Sequence, residues 1–578
     1  MTEERTGLRS REWFGGDDLN GVIHRGWMRS EGLSGAMFDG RPVIGVIDSW
    51  SEAANCNAHL RGLAEAVKRG VLRAGGLPLE VPAMSLSEPL MKPTTMLYRN
   101  LLAMEVEELI RAYPFDAVVL LSSCDKTTPG MLMGAASADL PAILISGGPM
   151  LRGRRGLEDL PGATAIWEAS DRRRAGDYAD ERWAELESCV ARSAGHCGVM
   201  GTASTMALLS EALGMGLPGS GSIPAVDSRR AALAETAGAR AVEMAVAGGP
   251  CPSQILGPRA FANAMTVLMA ISGSTNAVVH LAAIAGRVRV PLSLADFDRV
   301  SRQTPCLVDV RPAGRHQMED FYYAGGLAAV MGQVGDLLDL DAPTVSGRTI
   351  GQEIDGATIL DPAVIRARES PLSPEGGLAV LWGNLAPRGA VIKQSAMDPA
   401  LRHHVGRAVV FRDKHDLMER IDDPGLEVDP DSVLIQQMGG PVGGPGMPEW
   451  GQLPIPAKLW QAGIRDMVRI SDARMSGTAY GACVLHVAPE SAIGGPLALV
   501  CDGDLVELDV DGRRLSLLVP DDLLAERRAT WSRPQPRFSR GYGRLYVDHV
   551  GQADTGADFE FLAGGPGEDW APYQPTSH

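Results

Sequence analysis

The chain has 578 residues, 45% of them hydrophobic and 5% aromatic, with 68 glycines, 39 prolines and a formal net charge of −17. That size and apolar content allow more than one buried core, while the glycine and proline count suits an enzyme with many tight loops and excludes a fibrous or disordered chain. The acid excess leaves no basic face for nucleic acid or an anionic membrane, no apolar run reaches membrane-spanning length, and the opening residues MTEERTGLRSREWFGGDD carry no apolar signal core, so a cytoplasmic protein is expected.

Pro42–Asp48 (PVIGVID) reads as a buried strand, and in the following His59–Arg73 the residues Leu60, Leu63, Ala64, Val67 and Val71 recur at helical spacing. A strand over 77–81, a helix over 96–111, a strand over 116–122, a helix over 130–138 and a strand over 141–146 continue the alternation. Continuous apolar strands alternating with helices imply a parallel sheet covered on both faces. Residues 195–345 read as mainly helical, with long alanine-rich stretches at 228–247 and 261–285. From about 376 the texture changes to short β-like runs (GAVIKQSA, RAVVFRD, DSVLIQQM, DMVRISDA), then LALVCDGDLVELDVDGRRLSLLV with Asp-Gly hairpin turns. The expectation is an α/β domain over 1–375, with a helical middle region, and a β-rich, barrel-like domain over 376–578 whose last residues form a loose tail.

Eight cysteines in a long chain of this type are better read as core thiols, metal ligands or redox groups than as disulfides. No CxxC, HExxH, Walker phosphate loop or GxSxG elbow is present. Cys56 falls in the loop after the first strand, Glu88 after the second, and Cys124, Asp125 and Lys126 directly after the third. Ligands of open α/β sheets bind outside the carboxyl ends of the strands, so these loops bring two thiols, two carboxylates and a lysine to one rim. Each alone is open to a bland reading, a lone cysteine most of all.

Cys197 stands in a glycine- and hydroxyl-rich segment (SAGHCGVMGTASTM) ahead of a helix start, a setting expected to lower a thiol's pKa. Cys189, Cys251, Cys306, Cys483 and Cys501 lack supporting residues. Three thiolates leave one iron of a cluster open as a Lewis acid, where four would saturate it for electron transfer. Glu449 sits in a glycine/proline loop that is either a site loop or a turn. Ser476, among Arg474, Gly477 and Thr478, is either a helix N-cap or a base held by donors. Ser274 and Thr275 form either an anion-binding nest or a cap.

Taken in order, CDKTTPGMLM, GHCGVMGTASTM, GSTNAVVHLAAIA, GGPGMPE, SDARMSGTAYG and PESAIGGPLALV resemble the successive signatures of the dihydroxy-acid and sugar-acid dehydratases, over about residues 40–565. SEPLMKPTTMLYRNLLAMEVEE and GRLYVDHVGQADTGADFEFL are similar to the sugar-acid branch. The resemblance implies that Cys56, Cys124 and Cys197 hold an iron–sulfur cluster, [2Fe–2S] because Cys56 is present, with [4Fe–4S] as the alternative. It implies Mg²⁺ on Glu88, Asp125 and Glu449, with Lys126 as a carbamate, which offers a hard cation oxygen where an ammonium would repel it. Ser476 becomes the catalytic base, and Ser274, Thr275, Thr478 and His549 candidate substrate contacts, His549 being equally readable as a satisfied surface histidine. Trp382 and Trp450 depart from the family pattern as bulky neighbours of presumed site loops.

The implied activity is dehydration of an aldonate such as L-arabinonate or D-xylonate to a 2-keto-3-deoxy acid by a homodimer or homotetramer. The alternatives are a dihydroxy-acid dehydratase of branched-chain synthesis, the same chemistry on a phosphorylated sugar acid, and a non-catalytic iron–sulfur sensor.

Overall fold

The computed structural model describes residues 7–449 and 452–564. Four strands form the first sheet: β1 (Val43–Asp48), β2 (Leu77–Pro82), β3 (Ala117–Ser122) and β4 (Ala142–Ser146), all parallel, in the order β2-β1-β3-β4. Every residue of β1, β3 and β4 is buried, which is why they read as unbroken apolar runs instead of alternating ones. The crossover helices are α1 (Leu60–Arg73), α2 (Met96–Ala112) and α3 (Thr127–Ala138). α3 follows β3 after only four residues and is buried along its whole length, its glycines and alanines allowing close packing.

The middle region is helical. It includes α4 (Gly162–Arg174), α5 (Thr202–Ala212), α6 (Ser228–Ala247), α7 (Pro258–Ala270) and α8 (Asn276–Arg287). The expected single helical stretch over 261–285 is two helices: the chain leaves α7 at Ile271, takes a left-handed turn at Ser272 (φ 51°) and re-enters at Asn276. That break creates one wall of the site.

The second sheet has eight strands: β5 (Ala379–Leu381), β6 (Gly389–Ile392), β7 (His403–Phe411), β8 (Val433–Gln436), β9 (Arg469–Ser471), β10 (Cys483–Ala488), β11 (Leu505–Asp509) and β12 (Arg514–Leu517). Their order is β12-β11-β7-β8-β9-β10-β6-β5. The central strands β7, β8, β9 and β10 are parallel and the outer pairs antiparallel. Trp382, just beyond β5, exchanges backbone bonds with Arg513 and Leu515 at the opposite edge (3.0 and 2.8 Å), so the mixed sheet is nearly a barrel. Trp382 is therefore a seam residue, not a neighbour of the site loops; Trp450 lies outside the described residues. The barrel core, with Leu381, Ile392, Val433, Ile470, Val484 and Leu515, is separate from the larger core around the parallel sheet. Arg513 joins the two regions, pairing with Asp298 (2.8 Å) and Glu375 (2.7 Å).

Among the described residues, no helix is long and apolar enough to cross a membrane. Near the end of the described residues lies α9 (Gly541–His549).

Candidate active site

Loops from both sheets meet at one buried ammonium. Lys126, wholly buried between β3 and α3, points Nζ at Asp125 (2.6 Å), Glu449 (2.8 Å) and Glu88 (3.4 Å). Glu88 arrives from the loop after β2 and Glu449 from the loop after β8, more than 300 residues from Lys126. One oxygen from each of the three carboxylates lies within 4.8 Å of the others. Burial and Arg474 push the Lys126 ammonium down, but the three carboxylates outweigh them and hold its pKa above the ordinary range. Burial raises the Glu88 pKa, with Glu449 and Asp125 adding to it against Lys126. For Glu449, burial is overcome by Lys126 and Arg474, and its pKa falls below the usual carboxylate value.

Arg474 is the second cation. Fully buried, it bonds Glu449 (3.0 Å), the Met447 carbonyl (3.0 Å) and Thr94 Oγ1 (3.2 Å). Thr94 in turn donates to Glu88 Oε1 at 2.9 Å, and Thr95 Oγ1 donates to Glu88 Oε2. The loop bearing Glu449 is held close: Gly446, at φ 88°, leaves no room for a Cβ, which would stand 2.6 Å from the Leu97 backbone nitrogen.

The three thiols converge beside this cluster. Cys124 Sγ lies 3.5 Å from Asp125 Oδ1, and Cys56, Cys124 and Cys197 are close enough to one another for their charges to interact. Asn57 aligns the two loops, accepting from the Cys124 N–H (3.1 Å) and donating to Ser85 (2.9 Å). Cys56 is pushed well up by the adjacent Cys124 thiol, by burial and by neighbouring negative charge. Cys197 is pushed up to about 12, by burial first and then by Asp125, Cys124 and Glu449. The expected lowering of the Cys197 pKa is thus reversed: α5 does not begin until Thr202, too far to favour a thiolate, and the surroundings are buried and acidic. A trio of thiolates here needs a multiply charged cation among them. Soft sulfurs on one side and hard oxygens on the other fit an iron–sulfur cluster and Mg²⁺ respectively.

Ser476 lies on the turn after β9, and no helix follows it, which removes the N-cap reading. Its Oγ is 2.7 Å from Thr478 Oγ1, accepts from the Thr478 N–H (3.3 Å) and stands near enough to Glu449 to help lower that residue's pKa. The turn packs on the broken helix: a Cβ on Gly477 would stand 2.7 Å from both Ser274 Oγ and the Thr202 nitrogen, so only glycine fits. Ser274 bonds Thr202 Oγ1 (2.9 Å), and Asn276 reaches Thr202 Oγ1 (3.0 Å) and the Met475 carbonyl (3.3 Å). Ser274 Oγ also accepts from the Asn276 N–H (3.2 Å), while Thr275, the residue before α8, makes no side-chain cap bond.

His549 is placed otherwise. At the end of α9, its Nδ1 is 2.7 Å from Glu560 and its ring packs edge-on against Phe561; no contact ties it to the carboxylates or thiols. Arg474, Asn57, Thr94, Thr202, Asn276 and Trp167 are site residues that the sequence reading passed over. For Arg474, its place inside SDARMSGTAYG was the one available signal.

Residues 41–353 match the family described as Dihydroxy-acid/6-phosphogluconate dehydratase N-terminal, and residues 363–557 its C-terminal counterpart. The chain belongs to the dihydroxy-acid/6-phosphogluconate dehydratase family. It is a hydro-lyase, and the dehydratases of this family are iron–sulfur and magnesium enzymes. An L-arabinonate dehydratase of Rhizobium leguminosarum bv. trifolii is 50% identical, covering 96% of each chain. A 6-deoxy-6-sulfo-D-gluconate dehydratase of Pseudomonas putida is 48% identical, covering 96% of this chain and 97% of its own. A dihydroxy-acid dehydratase of Moorella thermoacetica is 41% identical, covering 93% and 98%. Within the dehydratase family, the sequence thus lies nearer to these sugar-acid enzymes than to that dihydroxy-acid dehydratase.

Proposed function

We propose that this chain dehydrates a sugar acid, an aldonate of the L-arabinonate or D-xylonate kind, to its 2-keto-3-deoxy acid. The observation that carries the reading is the meeting of three thiols, three carboxylates around Lys126, and Ser476 beside Glu449. The identities of 50% and 48% to sugar-acid dehydratases, against 41% to a dihydroxy-acid dehydratase, favour the sugar-acid substrate.

In this reading Cys56, Cys124 and Cys197 would hold the cluster, of the [2Fe–2S] type. Glu88, Asp125, Glu449 and a carbamylated Lys126 would hold Mg²⁺; the Lys126 amine stands among those carboxylates, so a carbamate there adds an oxygen to the set. When bound, the two groups supply Lewis-acid polarisation of the leaving hydroxyl and electrostatic stabilisation of charge developing at the substrate carboxylate. Ser476 as its alkoxide takes the proton from C2, and the C2–H electron pair forms the C2=C3 bond as the C3–O bond breaks. The proton gained by the serine is passed on to the departing hydroxide, which leaves as water, and the enol so formed tautomerises to the 2-keto acid. The Thr478 hydroxyl and N–H, both on Ser476 Oγ, stabilise the deprotonated serine. Arg474 holds Glu449 in place and offsets part of the site's negative charge.

The reading also places the enzyme in the cytosol as a homodimer or homotetramer. The exposed Leu19, Val22 and Trp27 on one N-terminal helix are consistent with a buried contact between copies.

The test is a substrate panel on anaerobically reconstituted enzyme: L-arabinonate, D-xylonate, D-gluconate and 2,3-dihydroxy-isovalerate, with keto-acid formation followed with and without EDTA. Turnover of an aldonate that stops with EDTA is expected. Turnover of dihydroxy-isovalerate alone would move the chain to branched-chain synthesis, and a coloured protein inactive on all four would favour the sensor.

A further inference from the structure

We propose that Trp167 is a positioning residue for the serine base, holding the Thr478 hydroxyl against Ser476 Oγ; this rests on the reading of Ser476 given above. Two side chains one turn apart on α4 grip the same residue of the serine loop. Thr164 Oγ1 donates to the Thr478 carbonyl at 2.7 Å, and Trp167 Nε1 donates to Thr478 Oγ1 at 2.9 Å.

An indole N–H donates and never accepts. Thr478 Oγ1 therefore receives a proton from Trp167 and must place its own elsewhere. Among the described residues the one acceptor within reach is Ser476 Oγ, at 2.7 Å. The Thr478 N–H reaches the same oxygen at 3.3 Å, so Ser476 Oγ is the target of two donors from one residue. Thr164 and Trp167 together hold that residue in place.

Remove the indole N–H and the Thr478 side chain loses the contact that holds its rotamer, so its hydroxyl is free to turn away from Ser476. That withdraws a donor from the oxygen that has to carry charge during proton abstraction. Trp167 also packs against the apolar cluster containing Met475 and Ala479, which flank the loop on either side. A phenylalanine keeps the ring in that cluster and deletes only the donor.

The experiment is a double-mutant cycle on the reconstituted holoenzyme with its aldonate substrate. Trp167→Phe is expected to lower kcat about tenfold, the rate equivalent of one hydrogen bond, with KM, cluster absorbance and melting midpoint unchanged. Thr478→Val should lower kcat at least as far, and adding Trp167→Phe to it should cost nothing more. A wild-type kcat for Trp167→Phe overturns the inference, as does an equal loss in both backgrounds. So does a rise in KM without loss of kcat, since the ring would then act in substrate binding. Ser476→Ala is measured alongside: if it turns over normally, the base assignment itself fails, a result separable from failure of the Trp167 link.

Discussion

The two sheets deliver their functional residues by the same device and use it for different ends. In the four-stranded sheet, the loops after β1, β2 and β3 carry Cys56, Glu88 and Cys124–Lys126. In the eight-stranded sheet, the loops after β8 and β9 carry Glu449 and Ser476, and both strands belong to its parallel centre. The antiparallel outer strands contribute to closure and core only. A run of parallel strands opens all its carboxyl ends on one side, so a site can be assembled from successive loops. The first sheet supplies sulfurs, carboxylates and the lysine; the second supplies the serine and the carboxylate that joins it to the rest. Cys197 and Ser274 come from the helical region between, which seals the join.

The largest effect that tests this division is Cys124→Ser, expected to abolish visible absorbance and turnover together; a coloured, active variant would take the thiols out of the chemistry. Chelation with EDTA should likewise stop turnover and be reversed by added Mg²⁺, with the absorbance retained. Ser476→Ala, on the other sheet, should keep the absorbance and lose about 10²–10⁴-fold in kcat, the usual contribution of a general base.

Between the two lies Arg474. Arg474→Lys keeps the charge but loses the fork that reaches Glu449, Met447 and Thr94 at once, and a fall of about 10- to 100-fold in kcat/KM with a higher Mg²⁺ requirement is expected. If only the Mg²⁺ requirement changes, Arg474 serves the carboxylates and not the serine.

The smallest effect concerns stability. Burial raises Glu211, beside the first sheet, to about 7, and burial with Asp472 does the same to Glu490, beside the second. A carboxyl raised in the folded state stabilises below its unfolded value, near 4.5, and that stability is lost as pH rises through about 7. Glu211→Gln should therefore gain on wild type between pH 5 and pH 8, by up to about 3 kcal/mol, in thermal midpoints across that range. A flat difference would show that Glu211 is ionised in the fold.

What was legible in the sequence follows from range. The parallel strands announce themselves as buried apolar runs, and the rim position of Cys56, Glu88 and Cys124 follows from strand polarity alone. Arg474 against Glu449 and Trp167 against Thr478 are contacts between segments, fixed by packing that no local pattern encodes. The raised Cys197 pKa has the same origin: a glycine-rich segment predicts free N–H groups, but not the burial of the thiol nor the Asp125 and Cys124 that face it. Trp382 reads as a bulky neighbour of the site loops because its backbone partners lie in strand residues about 130 positions downstream.

That tryptophan has a consequence for how copies of the chain can meet. With Trp382 tying the first strand of the eight to the last, the sheet offers a neighbour scarcely any unpaired ladder, so growth by strand addition, the usual route to fibrils and runaway assembly, is blocked at the seam. At this sheet self-association is left to side chains on the helices and loops around it, where it can be limited to a closed number of copies.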